Sequence, residues 1–441
     1  MNRLSAVCIV LIALLTACAE HANTRSPDRY SAAAGYGPDP VLPPPDPSLI
    51  PVINIAPAVG WPAGRTPVPA SGLIVQEFAA GLDHPRWLYV LPGGDVLVAE
   101  SNAPSRPDDG QGIRGWFQEM IKKRAGAGVA SANRITLLRD ADGDGHAEQR
   151  SVLLKSLNSP FGMVFLHDVL YVANTDAILA FPYREGVLEI TDPGRKLAPL
   201  PAGSINHHWT KNLIASADGK TLFVTVGSNS NVAENGLDAE EYRAAILQVD
   251  VATGNTRIYA SGLRNPNGMD LHPKTGVLWT VVNERDEIGD RLVPDYLTAV
   301  QDGGFYGWPW SYFGANIDSR VQPSNPERVQ AALKPDYALG AHTGSLGLTF
   351  YRGNGLPATY RDGAYIGQHG SWNRDELAGY RVLFVPFSEG RPSGMPVEIL
   401  SGFINENGEA YGRPVGVVID RQGALLVADD TGNRIWRVTA P

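Results

Sequence analysis

Two adjacent histidines stand beside an indole in the run Asn206-His207-His208-Trp209. A neutral imidazole takes up a proton readily near pH 7, so this run is a candidate seat of general-base chemistry. Cationic and amide groups recur elsewhere in one kind of setting. Arg264-Asn265 directly precede Pro266-Asn267-Gly268, Arg413 precedes Pro414-Val415-Gly416, and His84 precedes Pro85. A cleft that gathered such groups on an acidic protein would suit an anionic ligand. A separate pattern lies in Asp140-Ala141-Asp142-Gly143-Asp144-Gly145. Carboxylates at the first, third and fifth loop positions, with glycine at the sixth, wrap oxygens around one hard cation as in an EF-hand loop. Glu148 falls at the ninth position, but Ser151 stands at the twelfth, where a bidentate glutamate belongs. The loop is therefore either a modest cation site or an acidic turn.

For the basic groups to act together, the fold must bring distant segments to one place. A short run rich in Leu, Val and aromatics recurs at 95–99, 168–173, 220–225, 276–281, 362–366 and 423–428. Its β-branched and aromatic content, bounded by Gly, Asp and Asn, reads as strand. A second apolar strand precedes most copies, opened by Pro85-Arg86-Trp87, Pro160-Phe161-Gly162, Pro266-Asn267-Gly268 and Pro414-Val415-Gly416. The offset is constant: Gly268 to Leu278, Gly416 to Leu426 and Asn212 to Leu222 are each ten residues. Six such units predict an all-β chain folded as a six-bladed β-propeller, which leaves only short, protected sheet edges. The first strand of each blade lines the central channel, so the residues just before it meet at one mouth. His84, Ser159, Trp209, Asn265 and Arg413 share one level, and Asp83, Asn158, His208, Arg264 and Gly412 lie one residue earlier. Segments 102–132 and 286–346 exceed the repeat and read as loop insertions on one face. The aromatic run Gly303 to Trp310 either stacks a ligand or packs an insertion onto the propeller.

Composition narrows the classes. The chain has 441 residues, 43% of them hydrophobic, with 48 glycines and 34 prolines. That suffices for a large core with frequent turns and argues against long helices. A net charge of −9 disfavours nucleic-acid binding, and two cysteines give no disulfide framework. Residues 1–17 read as an export signal: Arg3, then an apolar run too short to span a bilayer. Leu15-Thr16-Ala17-Cys18 is similar to the bacterial lipobox, whose cysteine is acylated after cleavage. Cys18 is thus expected to carry lipid, holding an exported protein to a membrane of the periplasm or cell envelope. Residues 18–71, with eleven prolines between 38 and 69, are expected to form a disordered linker ahead of a propeller at 72–441, the alternative being a partly ordered strap lying on the domain.

Several of these segments together resemble the soluble pyrroloquinoline-quinone (PQQ)-dependent aldose dehydrogenases and their sorbosone dehydrogenase branch. The resemblance covers about 80–440. It rests on Gly262-Leu263-Arg264-Asn265-Pro266-Asn267-Gly268, Asn206-His207-His208-Trp209, Asn283-Glu284-Arg285-Asp286, Tyr306-Gly307-Trp308-Pro309, Gln368-His369-Gly370-Ser371-Trp372-Asn373-Arg374 and Gly412-Arg413-Pro414-Val415-Gly416. It implies a sugar or sugar-aldehyde substrate, PQQ and Ca²⁺ as cofactors, and a quinone or cytochrome as electron acceptor. His208 matches the catalytic base, with His207 as its rival. Arg264 and Asn265 match contacts to the quinone and carboxylate oxygens, Arg264 also polarising the reacting carbonyl, and Arg413 matches a carboxylate-binding arginine. Glucose-oxidising members carry a lysine after the fifth-blade strand; here Arg374 stands in its stead. Backbone carbonyls of the loop from Asn283 to Asp290, at Arg285 and Asp286, are the implied calcium ligands. Two other readings stay open: a propeller lactonase or hydrolase with an axial calcium, and a non-catalytic propeller that binds a glycan or partner.

Overall fold

In the computed structural model, residues 32–47, 52–104, 126 and 128–441 are described. They form seven antiparallel sheets, six of them the blades of a ring and the seventh a two-stranded hairpin. From the centre outwards, blade 1 runs Pro85–Val90, Val96–Glu100, Arg134–Arg139 and Gln149–Leu154, and blade 2 runs Met163–Leu166, Val169–Ala173, Ala177–Pro182 and Arg195–Pro199. Blade 3 runs Leu213–Ala215, Thr221–Val226, Ala245–Asp250 and Thr256–Ser261, and blade 4 runs Asn265–Leu271, Leu278–Asn283, Pro294–Ala299 and Tyr337–Ala341. Blade 5 runs Ser345–Phe350, Gly363–Gln368, Arg381–Ser388 and Val397–Ser401. Blade 6 takes Pro414–Ile419, Leu425–Asp429 and Arg434–Thr439 from the C-terminal end, and its outermost strand, Ile74–Ala80, from near the other end. All six repeats read from the sequence are second strands, and the fold is the six-bladed propeller they imply.

The innermost strands touch their neighbours all the way round, which closes the ring. Glycines make that approach possible. A Cβ on Gly268 of blade 4 would lie 2.6 Å from the Leu346 carbonyl oxygen of blade 5. One on Gly347 would lie 2.2 Å from the Val415 carbonyl oxygen of blade 6. Neighbouring backbones meet here with no room for a side chain. Farther out, the faces of successive blades share apolar cores. Leu97 and Ile135 of blade 1 pack with Phe161 and Leu170 at blade 2. Trp279 of blade 4 packs with Phe350 and Phe387 of blade 5, and Leu88 of blade 1 with Leu426 of blade 6.

Two expectations are corrected. Segment 286–346 is not wholly an insertion, because it supplies the third and fourth strands of blade 4; the added part lies between them. It holds a hairpin of Ser311–Tyr312 and Asn316–Ile317 and a short helix, Pro326–Gln330. Its aromatics pack inward, with Phe305, Tyr306 and Trp308 all buried. The second correction concerns the proline-rich segment. Its described parts, 32–47 and 52–71, lie on the propeller as a strap. Tyr36–Gly37 adds a strand to the edge of blade 4 and Val68–Pro69 one to the edge of blade 5. Between them, Asp46 N donates to Ile288 O, Asn54 N to Trp372 O and Val59 N to Ala410 O. Proline removes a donor, but the remaining N–H groups find acceptors on the blades. Cys18, the signal and most of insertion 102–132 lie outside the described residues.

Connections before the innermost strands and after the second strands share one face, here the mouth face. Connections between third and fourth strands emerge on the other.

Candidate functional site

Residues from five blades surround the channel mouth. His208 lies in the connection entering blade 3. Its Nδ1 is 2.8 Å from the Ser228 carbonyl oxygen and 3.1 Å from Ser228 Oγ. A carbonyl can only accept, so Nδ1 carries the proton and Nε2 is the basic nitrogen of the neutral ring. Lys211, fully buried, donates to the Trp209 carbonyl at 3.1 Å and reaches the His208 carbonyl at 3.5 Å, fixing the peptide that carries the histidine. Burial pushes its ammonium well below the ordinary lysine range. Gly227 separates His208 from Asn265. A Cβ there would fall 2.5 Å from His208 Cβ and 2.3 Å from Asn265 Oδ1. The glycine keeps a gap between the imidazole and a buried amide oxygen that has no hydrogen-bond partner among the described residues.

Arg264, in the connection entering blade 4, is buried and clasped by its surroundings. Nε donates to Asn231 O at 3.2 Å, Nη1 to Glu284 O at 2.6 Å, and Nη2 to Asn231 Oδ1 at 3.0 Å and Asp286 Oδ2 at 3.2 Å. Among the described residues, these contacts use four of its five N–H donors. Asn231 joins the elements here: its Oδ1 also accepts from Asp286 N at 2.9 Å, and its carbonyl from Trp308 Nε1 at 2.9 Å. Asp286 is further paired with His342, whose Nδ1 lies 3.1 Å from Oδ1 while Nε2 lies 3.0 Å from Gly289 O. With an acceptor at each nitrogen, His342 donates twice and is raised toward the imidazolium; burial opposes this, but the Asp286 hydrogen bond and charge prevail.

Across the mouth stands Asp430, at the end of the second strand of blade 6. Its Oδ2 accepts from Arg86 Nη1 at 2.5 Å and His369 Nε2 at 2.9 Å, with His84 Nε2 at 3.4 Å. Burial would raise this carboxyl, but His369, His84 and Arg86 outweigh it and hold it well below the carboxylate range. Burial drives His84 the other way, to about 4, against the pull of Asp430. The Arg86 guanidinium lies 5.8 Å from the Trp209 ring, which links this cluster back to the His208 segment. Arg413 lies beside it. Its guanidinium sits 4.8 Å over the Tyr380 ring, Nη2 donates to Ala56 O of the strap at 3.0 Å, and Nε is buried without a partner among the described residues.

Thus His208, Arg264, Asn265 and Arg413 line one mouth, together with His84, Arg86 and His369. Arg374 falls elsewhere, and Asp286 lies beside Arg264 but in another role. Arg374 lines a cleft of about 590 Å³ between the strap and blades 4 and 5, with Tyr36, Arg291 and Arg381, and its Nη1 donates to Ala341 O at 3.2 Å. Asp286 is no cation ligand. Its Oδ1 accepts from His342, its Oδ2 from Arg264, and its carbonyl from Asn231 at 3.1 Å and Arg320 at 3.0 Å. A divalent cation would face three positive groups there. The Arg285 side chain anchors the insertion, donating to Pro309 O at 2.9 Å and Ser311 O at 2.7 Å, which leaves its carbonyl, the expected ligand atom, in the loop. The loop with Asp140, Asp142, Asp144 and Glu148 does gather its four carboxylate atoms within 4.8 Å. It joins the third and fourth strands of blade 1, so it lies on the face opposite the mouth.

Asn231, Gly227, Ser228, Lys211, His342 and Asp430 escaped the sequence reading. Some carried a readable signal. The residue just after each second strand is Ser101, Asn174, Gly227, Glu284, His369 or Asp430, a second register at the same mouth.

A family model described as glucose/sorbosone dehydrogenase matches residues 173–368, and a model described as TrAA12-like matches 317–441. The resemblance read from the sequence is thereby borne out. An uncharacterised protein of Borreliella burgdorferi is 28% identical over 296 residues, covering 65% of this chain and 77% of that protein. The aldose sugar dehydrogenase YliI of Escherichia coli is 23% identical over 183 residues, 38% of this chain and 47% of that protein. Among solved structures, the holo PQQ domain of pyranose dehydrogenase from Coprinopsis cinerea superposes with a TM-score of 0.68 at 19% identity, covering 88% of this chain and all (100%) of that one. A calcium structure of the Trichoderma reesei family AA12 enzyme gives 0.68 at 20% identity, covering 88% and 99%. At these identities the structures support the propeller fold.

Proposed function

We propose that the chain is a PQQ-dependent sugar dehydrogenase, oxidising an aldose or a related sugar aldehyde at the channel mouth. The observation that carries this reading is the juxtaposition of His208 and Asn265 across Gly227, with His208 fixed as the tautomer whose Nε2 is basic. The mouth fits a flat polycarboxylate. Among the described residues, Arg413 Nε is a buried donor without a partner and Arg264 retains one N–H, both suited to a carboxylate. Arg413 would hold the cofactor's carboxylates, with the remaining Arg264 donor at its rim, and Asn265 Oδ1 would accept from an N–H or O–H of the bound ligand. PQQ, when bound, supplies a two-electron acceptor for the hydride leaving the sugar carbon. His208 Nε2 takes the hydroxyl proton as the carbon–oxygen double bond forms, a role worth typically about 10²–10⁴-fold in rate. Ser228 and Lys211 keep the imidazole and its peptide in place while the charge changes. Of the two carbonyls expected to bind calcium, that of Asp286 is already taken by Asn231 and Arg320, and no step is assigned to a metal.

The glucose/sorbosone dehydrogenase family model, the aldose sugar dehydrogenase relative, and the PQQ-domain and calcium structures support the class of reaction. A lactonase would need free carboxylates on the axis, whereas Asp286 and Asp430 are each held by cationic partners. We further propose that Cys18 is acylated, which would place the reaction at a membrane of the cell envelope beside a quinone or cytochrome acceptor.

The test is an absorbance titration of purified protein with PQQ, with and without Ca²⁺, followed by dye-linked oxidation of an aldose panel. Uptake of PQQ and turnover of at least one sugar are expected. His208→Ala should keep cofactor binding and lose about 10²–10⁴-fold in turnover. Absence of both binding and turnover would falsify the reading.

A further inference from the structure

The strap reaches into the mouth at its single tryptophan. Trp61 is nearly buried, with its ring 5.4 Å from Phe403, 5.4 Å from Tyr411 and 5.1 Å from Trp436. Its Nε1 donates to Asp429 Oδ2 at 2.6 Å, and Trp436 Nε1 donates to the same oxygen at 3.1 Å. The other oxygen of this fully buried carboxyl accepts from the backbone N–H of Arg413 at 2.7 Å and of Gly432 at 2.8 Å. Four N–H groups therefore converge on one carboxyl, and one of them belongs to the arginine at the mouth. The space is closed around it. A Cβ on Gly412 would lie 2.0 Å from Asp429 Oδ2, and one on Gly432 would lie 2.3 Å from that atom and 2.7 Å from Trp61 Cδ1. A few residues up the strap, the Ala56 carbonyl takes a hydrogen bond from the Arg413 guanidinium at 3.0 Å. The strap thus holds Arg413 at both ends, its peptide through Trp61 and Asp429 and its side chain through Ala56.

We infer that Trp61 is a positioning residue for Arg413, so that the N-terminal strap is part of the binding site for an anionic, carboxylate-bearing cofactor. The inference rests on the proposed function above. Trp61 touches no ligand in this scheme. It keeps the Asp429 carboxyl in the place where it receives the Arg413 peptide, and that peptide sets the direction from which the guanidinium rises to the mouth. Burial pushes Asp429 up to about 6 despite its four donors, so losing one donor weakens its hold further near neutral pH.

A double-mutant cycle on the full chain, read by PQQ titration, tests this. The proteins are wild type, Trp61→Phe, Arg413→Ala and the pair together. Trp61→Phe keeps an aromatic ring in the cluster and removes only the N–H donor. The expected result is a Kd for PQQ raised about tenfold by Trp61→Phe, as for loss of a hydrogen bond to a charged group, and no further rise when Arg413 is already alanine. An unchanged Kd, or an equal loss in both backgrounds, overturns the inference while leaving the proposed function standing. Wild-type protein that takes up no PQQ overturns the proposed function and this inference with it. If Trp61→Phe does not fold, Asp429→Asn reads the same link from the blade side: the cycle with Arg413→Ala should again be non-additive, and additive losses overturn the inference.

Discussion

The residues at the mouth divide by how each is held. His208 is oriented by one carbonyl and one hydroxyl, both on Ser228, so its basic nitrogen is fixed by a local contact. Its identity, and those of Arg264, Asn265 and Arg413, were legible because they occupy two adjacent positions of a repeat. Asn231 was not, since it sits inside an irregular connection whose path depends on Arg264, Asp286 and Trp308 together. The same limit explains Asp286. Its carbonyl looks like a metal ligand in sequence, and only the fold shows that Asn231 and Arg320 already donate to it while Arg264 and His342 hold the side chain. His84 has a consequence in solution. The unfolded chain binds a proton near the ordinary 6.5, whereas burial delays uptake in the folded state to about 4. Its contribution is therefore complete above pH 6.5 and is lost as pH falls through that window, with a slope of at most about 1.4 kcal/mol per pH unit. His84→Gln should flatten the acid limb of stability, visible as a smaller gap between urea midpoints at about pH 7 and about pH 5. An equal gap in both proteins would show that other groups set the acid limb.

At the scale of elements, the strands were readable because each second strand is apolar and bounded by turn residues. The first strand of blade 5 was the least visible: Ser345-Leu346-Gly347 lacks the proline that opens four of the others. Its glycine, however, does the same work as Gly268, letting one inner strand lie against the next. Gly347→Ala places a methyl 2.2 Å from the Val415 carbonyl, a backbone atom that cannot rotate away. A loss of about 1–3 kcal/mol, the range for overpacking, is expected in urea unfolding. A change within error would mean that the two strands separate more easily than their packing suggests. The strap was misread for a related reason. Proline content reports local stiffness and missing donors. It carries no information about the edges of blades 4 and 5, hundreds of residues away, that receive Tyr36–Gly37 and Val68–Pro69.

For the whole molecule, the repeat announced six modules, but not how the ring is fastened. Blade 6 is fastened by pairing Ile74–Ala80 with Arg434–Thr439, from Ile74 opposite Thr439 to Ala80 opposite Arg434. Removing residues 1–80 leaves this blade with three strands and bares a row of unpaired backbone groups. The shortened protein should show a clearly lower urea midpoint and associate through that edge, measured by denaturation and by size-exclusion chromatography. A monomer with an unchanged midpoint would show that the inner contacts alone secure the ring.

The seam in blade 6 also sets a timetable. Ile74–Ala80 leaves the ribosome long before its partner Arg434–Thr439. A nascent chain cannot complete that sheet until the later strand has followed, and joining the two is one of the longest loop closures in the fold. Until then the early strand stays without its mate, so blade 6 closes after the inner strands of the other five have had time to form.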